Sequence, residues 1–410
     1  MSPTRQDQRS APAPAIGRPL VHRPVDQAGS LEELFSGSLP SFGGGYLRRV
    51  WELLDEAIGR GVPMTLAVAG PVTASGQHYA WLNPLLDTGW FAWISVTDAI
   101  CYHDLHRALA SVRESDFREV PIHGDDARLR DDAVIRITDI GFPEEVLLDT
   151  DAALQEILRR PEFQQRMSGP VFRHRLGAAA AELEAARGAQ EGLLALCRRK
   201  AIPVFVGAPA DGSVFLNSVA LWADARSSGA PHALELDLHE EVFESCAYHW
   251  WGLRESPTRA LGTLILGGGV PKNFNLQPEP ALGQVLGFPD ITGYLYDIQI
   301  TTAPVTDGSL SSCPPAEAVT WGKVDKEHYR STTVSFHCDY SVVMPLLVKA
   351  LLEKRARLAA RAEAEGREAV LAAEPAAAGY LRPPDGYRLF EQRERLIAAL
   401  LAERRRRREG

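Results

Sequence analysis

The side chain best suited to covalent chemistry is Lys323, which ends the segment Glu317-Ala-Val-Thr-Trp321-Gly-Lys323. A lysine amine is nucleophilic only when it is neutral, and burial beside apolar or aromatic groups favours the neutral form. Trp321 could supply that apolar wall, or a cation–π face for a substrate amine. Glu317 could pair with a second amine. The alternative interpretation is a surface lysine beside a core tryptophan, without any chemical role.

A run of three glycines, Gly267–Gly269, follows an apolar segment and leads into Val270-Pro271-Lys272-Asn273. Proline suits the first turn of a helix, and glycine lets backbone N–H groups approach a ligand closely. A helix N-terminus of this kind favours an anion such as a pyrophosphate. The spacing differs from the G-x-G-x-x-G pattern of dinucleotide sites, and a simple tight turn also explains the glycines.

Two carboxylates follow apolar segments in the same way. Asp211 begins Asp-Gly-Ser, and Asp339 opens a predicted helix. Such a carboxylate can accept hydrogen bonds from both hydroxyls of a ribose, or it can cap a helix or a turn. Thr302 and Ala303 close another apolar segment, where their backbone could lie against a cofactor. The sequence leaves the ligand and capping interpretations open.

These residues need a scaffold that brings segment ends together. Short apolar runs, typical of buried strands, alternate with helical periodicity along the chain. The predicted strands are 64–69, 91–96, 202–206, 234–238, 263–266, 294–300 and 333–336; the predicted helices include 46–60, 101–112, 214–225 and 240–250. This alternation predicts an α/β fold with a mostly parallel sheet and helices on both faces. Ligands then bind outside the carboxyl ends of the strands.

Composition divides the chain into three regions. Residues 1–28 are rich in Pro and Ser and predict a flexible tail. Residues 29–350 carry the alternating pattern and predict the catalytic domain. Residues 351–410 predict a helical extension that ends in five arginines and carries an apolar stripe suited to a subunit interface. Residues 174–200 predict one long packing or interface helix.

The overall composition excludes several classes of protein. An apolar content of 45% and 410 residues exclude a disordered chain or a disulfide-stapled miniprotein. The net charge of −9 argues against nucleic-acid binding. Five scattered cysteines indicate reduced thiols without a metal site. Residues 1–20 lack the apolar core of a signal peptide, so we expect none, and no apolar run approaches the roughly 18 residues of a membrane helix. We therefore expect a soluble, cytoplasmic protein that binds neither membrane nor metal.

Taken together, the motifs resemble those of the deoxyhypusine synthase family over roughly residues 40–350. The triple glycine combined with Trp-Gly-Lys is the most specific part of this match. The matching segments, in the family's order and spacing, are Asp211-Gly-Ser, Gly267-Gly-Gly-Val-Pro-Lys272, Thr302-Ala303, Asp307-Gly-Ser309, Glu317-Ala-Val-Thr-Trp-Gly-Lys323 and Asp339 with Ser341.

The resemblance implies a Rossmann-like sheet, bound NAD, a homotetramer with active sites at subunit interfaces, and transfer of an aminobutyl group from a polyamine. It makes Lys323 the covalent nucleophile. The residues implied to contact substrate are Glu317, Trp321, Asn273, Asp307 and Ser309. The residues implied to contact the cofactor are Thr97, Asp104, Asp211, Gly268, Gly269, Thr302, Ala303 and Asp339.

The departures from the family pattern concern the substrate. Asn273 replaces a histidine, Leu216 and Leu310 replace two acids that hold spermidine, and Tyr102-His103 replace paired glutamates. Leaving a buried ammonium without its carboxylate costs about 3–5 kcal/mol. These changes resemble bacterial homologues that make homospermidine from small polyamines. The alternatives are modification of a protein lysine, and an NAD-binding member that acts on another amine or lacks transferase activity. His103 fits either a ligand contact or a capped surface histidine.

Overall fold

Strands and helices alternate in the computed structural model, which describes residues 19–409. The strands are β1 (Met64–Val68), β2 (Phe91–Val96), β3 (Arg118–Glu119), β4 (Val134–Ile137), β5 (Ile140–Pro143), β6 (Arg166–Met167), β7 (Val204–Val206), β8 (Glu235–Leu236), β9 (Gly262–Leu266), β10 (Tyr296–Thr301) and β11 (Thr333–His337). The helices are α1 (Leu31–Gly37), α2 (Phe42–Gly59), α3 (Asn83–Asp87), α4 (Asp98–His106), α5 (Asp126–Asp131), α6 (Glu145–Leu158), α7 (Gly169–Arg187), α8 (Leu193–Arg199), α9 (Ser213–Ser228), α10 (Leu238–Arg254), α11 (Gly269–Leu276), α12 (Pro278–Pro280), α13 (Pro315–Thr320), α14 (Tyr329–Thr332), α15 (Tyr340–Glu365), α16 (Arg367–Ala373), α17 (Ala377–Tyr380) and α18 (Arg393–Glu409).

Six parallel strands form the central sheet in the order β11-β10-β9-β1-β2-β7. Strands β1, β2 and β9 are buried along their whole length, which explains their nearly continuous apolar sequences. Counted along the chain, the six strands have the doubly wound order 3-2-1-4-5-6, and the connections reverse direction between β1 and β9. The predicted Rossmann-like, mostly parallel α/β fold is confirmed.

Two clusters of buried side chains cover opposite faces of this sheet. One contains Leu66 and Ile94 with residues of α2 and α15. The other contains Ala67 and Trp93 with residues of α10 and α18. Neighbouring strand residues thus point to opposite faces, as strand geometry requires. The apolar stripe of α18, including Leu396, packs within the same chain, so intramolecular burial accounts for it without a subunit interface.

Two predicted helices are each interrupted at a glycine. Residues 174–200 form α7 and α8, and α7 ends at Gly188 with a φ of 68°. The helical pattern at 351–373 belongs to α15 and α16, which are separated by Gly366 with a φ of 91°. Glycine adopts positive φ without steric cost and commonly ends a helix. The apolar periodicity did not reveal either interruption, because the helical pattern of apolar residues continues beyond each glycine.

The placement of residues 234–238 in the main sheet was wrong. Only β8 forms there, and it pairs with β6 in a separate two-stranded sheet. A three-stranded antiparallel sheet, β3-β5-β4, was not predicted. The boundary at residue 350 falls inside α15, and buried residues beyond it, such as Leu358, join the main core. Residues 1–18 of the predicted tail lie outside the described residues, and residues 19–27 are exposed.

Candidate active site

A cavity of about 790 Å³ lies between the carboxyl end of β7, helices α10 and α11, and the segment that leads to Lys323. Its lining includes Lys323, Trp321, Glu317 and Asn273. Leu310, at one of the two positions where the family pattern has an acid, also lines it. The structure therefore brings the predicted nucleophile and three predicted substrate-binding residues into one cavity with mainly apolar walls.

Lys323 is half-buried, and backbone hydrogen bonds fix its position. Its N–H donates to the Ala318 carbonyl (3.1 Å), and its own carbonyl accepts from the Tyr294 N–H (3.0 Å). Burial lowers the pKa of the Lys323 ammonium. Because desolvation disfavours the charged form, a larger fraction of this amine is neutral, and therefore nucleophilic, than in an exposed lysine.

Trp321 forms an exposed wall at the cavity mouth. Its side chain is 58% exposed, so the alternative interpretation of a core tryptophan is wrong. The Lys323 Nζ lies 6.0 Å from the centre of its ring. Gly322, between them, has a φ of 75°, which glycine adopts without strain. Glu317 is exposed in the first turn of α13, and its carboxylate lies within hydrogen-bond reach of the Cys313 thiol at the cavity.

Lys272 anchors the loop that carries Leu310 to the cavity. Its buried ammonium donates to Gln299 Oε1 (2.9 Å) and to the carbonyls of Leu310 (3.1 Å) and Cys313 (2.6 Å). Burial lowers the pKa of Lys272, and the nearby buried Asp297 carboxylate opposes that effect. With three acceptors in place, this lysine holds residues 302–314 against the sheet and does not compete with Lys323 as a nucleophile.

Asp307 and Ser309 are exposed members of the same loop. The Ser309 N–H donates to Asp307 Oδ1 at 2.8 Å, which makes a local Asx turn. Neither residue is part of the cavity lining described above. Their contact with substrate therefore stays a prediction.

The glycine run forms the turn between β9 and α11. Gly267, Gly268 and Gly269 have φ values of 83°, 134° and 57°. A Cβ on Gly268 would lie 2.6 Å from the Cα of Ser311, so only glycine fits there, whereas the space beside Gly269 is open. The Gly269 N–H donates to Ser311 Oγ at 2.9 Å. Gly268 thus packs closely against the loop at Ser311, whereas the backbone at Gly269 is open to a ligand.

The other predicted cofactor residues follow four parallel strands and so share one edge of the sheet. Thr97 follows β2, and its Oγ1 is buried without a hydrogen-bond partner among the described residues. Asp211 is exposed after β7. Asp339 is exposed after β11, and its Oδ1 accepts from the Ser341 N–H (2.8 Å), so it also caps α15. Thr302 is exposed and Ala303 half-buried, both after β10.

This edge fits a dinucleotide. Two exposed carboxylates suit ribose hydroxyls, the open side of Gly269 suits a close backbone approach, and the unpartnered Thr97 hydroxyl suits a polar ligand atom. The edge also contains the point between β1 and β9 at which the connections reverse, where ligands of doubly wound sheets bind. The residues present are therefore compatible with NAD, and their individual contacts with it stay predictions.

Asp104 has a different environment from these residues. Its side chain is 1% exposed, and its oxygens accept from the Leu193 and Leu194 N–H groups, both at 2.8 Å. These are the contacts of a cap on α8. Tyr102 donates to Asp151 on α6 at 2.7 Å, and His103 Nδ1 lies 2.8 Å from His106 Nε2. The described contacts of these three residues are internal packing contacts, and a cofactor role for Asp104 remains a prediction.

Two buried carboxylates were not predicted from the sequence: Glu241 at the cavity and Glu279 beside Gly322. Glu241 lines the cavity with 1% exposure and pairs with Arg173 (3.0 Å). Glu279, on the short helix α12, is 8% exposed, and its Oε2 has no hydrogen-bond partner among the described residues. In the sequence, Glu241 near the start of α10 and Glu279 between two prolines both look like ordinary surface glutamates. The sequence offered no signal for either.

Within residues 19–409, no cluster of His, Cys, Asp and Glu is arranged to hold a metal ion. The five cysteines, which fall in that range, are unpaired, as expected. None of the helices in the described part of the chain has the length and apolar character to cross a membrane.

Comparison with known proteins agrees with the family resemblance seen in the sequence motifs. The family model described as deoxyhypusine synthase matches residues 34–351. A deoxyhypusine synthase-like protein of Thermosynechococcus vestitus is 34% identical over 346 residues, covering 84% of this chain and 83% of its own. A protein of the same description from Cyanothece sp. is 35% identical, with 82% of each chain covered. A crystal structure provisionally assigned as a deoxyhypusine synthase from Entamoeba histolytica overlaps 80% of this chain and 94% of its own, with 14% identity and a TM-score of 0.47, a likeness too weak to carry an argument.

Proposed function

Because the chain belongs to the deoxyhypusine synthase family, whose members are NAD-dependent aminobutyltransferases, we propose that it acts in polyamine metabolism. It moves a 4-aminobutyl group from putrescine or spermidine to the amine of a second small polyamine, as a homospermidine synthase does. The observation that carries this proposal is the half-buried Lys323, whose pKa is lowered, in one cavity with Glu317 and Trp321.

The residues of the cavity divide the transfer into two steps. NAD bound at the strand edge would accept a hydride from the carbon beside the donor amine and would return it to the imine formed with the acceptor amine, so that the transfer involves no net oxidation. The neutral Lys323 amine replaces the departing amine and carries the aminobutyl group as an imine, which the acceptor amine then takes over. Glu317 holds the distal ammonium of the substrate. Trp321 and the apolar walls limit the access of water, which would hydrolyse the imine.

Leucine at two positions favours a small acceptor and a changed substrate pose. Leu310 lines the cavity and Leu216 is 57% exposed on α9, so neither position provides a carboxylate for a polyamine ammonium. An uncompensated ammonium beside them would cost about 3–5 kcal/mol on burial. A diamine that uses Glu317 alone avoids that cost.

We also propose a homotetramer in which a second copy completes the site. Large apolar side chains at the cavity are exposed in the single chain: Val285 (77%), Trp321 (58%) and Val270 (43%). Burying such a surface against another copy would both stabilise the assembly and dry the cavity. The mass in solution, measured by light scattering, tests the tetramer. The cytoplasmic location and the lack of nucleic-acid binding remain expectations.

The decisive experiment incubates the enzyme with NAD and putrescine, with and without spermidine, and identifies products by mass spectrometry. Homospermidine is the expected product. A product formed only on a protein lysine would overturn the proposal in favour of deoxyhypusine formation. Retention of NAD without turnover of any di- or triamine would show a binding protein instead.

A further inference from the structure

Glu279 is a buried carboxylate placed directly against the segment that carries Lys323. It lies on α12 between two prolines, is 8% exposed, and its Oε2 accepts no hydrogen bond from the described residues. A Cβ on Gly322 would lie 2.6 Å from its Oε1 and 2.9 Å from its Oε2. The carboxylate therefore fills the space that any side chain at position 322 would need, immediately before Lys323.

The charges of Glu279 and Lys323 act on each other. Burial raises the pKa of Glu279 to about 7, and the Lys323 ammonium opposes that increase. Burial lowers the pKa of Lys323, while Cys313 and Glu279 oppose that decrease. Lys272 repels Lys323 but already donates to three acceptors. Glu279 is thus the buried carboxylate whose charge acts on the nucleophile, and it retains an oxygen free to accept a proton.

We propose that Glu279 is a positioning residue that acts through Lys323, as its proton partner. In the resting enzyme it balances the Lys323 ammonium. Before the attack one proton passes from Lys323 to Glu279, so that the ammonium and the carboxylate both become neutral and the total charge of the site does not change. This inference rests on the proposed function, because it gives Glu279 a role only if Lys323 is the nucleophile.

The arrangement also explains the glycine of Trp321-Gly322-Lys323 in physical terms. Gly322 is required both by its φ of 75° and by the carboxylate over its Cα. A larger residue would displace Glu279 and separate it from the lysine that follows.

The test measures the reactivity of Lys323 without NAD or polyamine. Butanal and cyanoborohydride label neutral amines, and peptide mass spectrometry quantifies the adduct on Lys323 between pH 6 and 10. Glu279→Gln removes the carboxylate that stabilises the ammonium. We expect the apparent pKa of Lys323 to fall by about one unit, so that labelling at pH 8 becomes about tenfold faster. Turnover with putrescine should become slower, because the proton acceptor is lost.

Glu279→Asp keeps a carboxylate, so its labelling profile should return toward that of the wild type. Glu184→Gln is the matched control, since Glu184 is another buried carboxyl with a raised pKa and is not among the groups whose charge acts on Lys323. Its profile should equal that of the wild type. Thermal unfolding shows which variants fold, and Glu279→Ala, which also removes the carboxylate, replaces Glu279→Gln if Glu279→Gln does not fold.

An unchanged labelling profile in folded Glu279→Gln, or a parallel loss of labelling and turnover, would overturn the role of Glu279. That result leaves the proposed transferase intact if the wild type makes homospermidine. Conversely, a shifted profile in an enzyme that makes no polyamine product supports the coupling between Glu279 and Lys323 while the proposed function fails.

Discussion

Asp104 and Glu279 are both buried carboxylates in this molecule, and they differ in what surrounds them. Both oxygens of Asp104 accept backbone N–H groups at the start of α8, whereas Oε2 of Glu279 accepts none from the described residues. Burial raises both pKa values, to about 6 for Asp104 and about 7 for Glu279. Asp104 uses both oxygens to cap α8. Glu279 keeps the capacity to exchange a proton with Lys323.

This difference shows that burial and a raised pKa do not by themselves mark a functional carboxylate. Its hydrogen-bond partners decide the role, because a carboxylate whose two oxygens both accept backbone N–H groups acts as a structural cap. Substitutions near Lys323 should therefore lower the catalytic activity, whereas substitutions at Asp104 should lower the free energy of unfolding.

The largest effect is expected from Lys323→Arg at the cavity. A guanidinium stays charged at every accessible pH and forms no imine. Homospermidine formation should fall to background while NAD stays bound to the folded protein. Mass spectrometry of the products and the absorbance of retained cofactor measure both quantities. An active Lys323→Arg enzyme would remove the covalent mechanism.

Asp104→Ala should act on stability and leave the chemistry of the folded fraction largely unchanged. Loss of a buried cap that accepts two N–H groups should lower the free energy of unfolding by about 1–3 kcal/mol. Urea denaturation measures the loss. The exposed cap Asp339 provides the comparison, with a smaller loss expected for Asp339→Ala. A large fall in NAD affinity of folded Asp104→Ala would instead restore the cofactor role that the family resemblance implies.

The stability of the wild type relative to Glu279→Gln should depend on pH with a defined sign. The pKa of Glu279 is raised in the folded state to about 7, so between about pH 4.5 and 7 the folded chain holds a proton that the unfolded chain has released. The wild type is therefore favoured at low pH and loses about 1–3 kcal/mol relative to the variant as pH rises through this range. Denaturation at pH 4.5 and pH 8 measures the change, and a pH-independent difference would contradict it.

Leu310→Asp tests substrate specificity at the cavity wall. A carboxylate there should favour a longer polyamine, and we expect the kcat/KM ratio of spermidine to putrescine to rise about tenfold, equivalent to about 1.4 kcal/mol. Leu148→Asp is the matched control, because Leu148 is an exposed leucine on α6 that does not line the cavity. Equal effects of the two substitutions would show that the cavity wall does not set the preference.

The smallest effect is expected for Tyr102→Phe. The tyrosine hydroxyl donates to Asp151, and loss of that hydrogen bond should cost about 1 kcal/mol of stability. Turnover of the folded enzyme should not change. A selective fall in turnover would place this part of the chain in the active site after all.

Much of the scaffold could be predicted because strand and helix signals are local. The predicted strands 91–96 and 263–266 closely match the observed strands Phe91–Val96 and Gly262–Leu266. The segment 234–238 failed because an apolar run does not specify its pairing partner. The helix interruptions at Gly188 and Gly366 were missed because glycine inside a periodic pattern is compatible with either a continuous or a broken helix.

The candidate site also has one part that the sequence could predict and one part that it could not. Trp321 and Lys323 are near neighbours in sequence, so their motif already indicated a nucleophile beside an aromatic wall. Glu279 and Lys323 are distant in sequence, and only the folded chain places the carboxylate against Gly322.

By itself, the amino-acid sequence determined the alternating strands and helices, the family pattern and the position of the lysine proposed as the nucleophile, because apolar periodicity and short motifs are properties of neighbouring residues. Only the tertiary structure decided which carboxylates accept backbone N–H groups on both oxygens and which keep an oxygen without a partner among the described residues. The solvation and hydrogen bonding of a polar side chain depend on segments that the fold brings to it from elsewhere in the chain, and no local pattern records them.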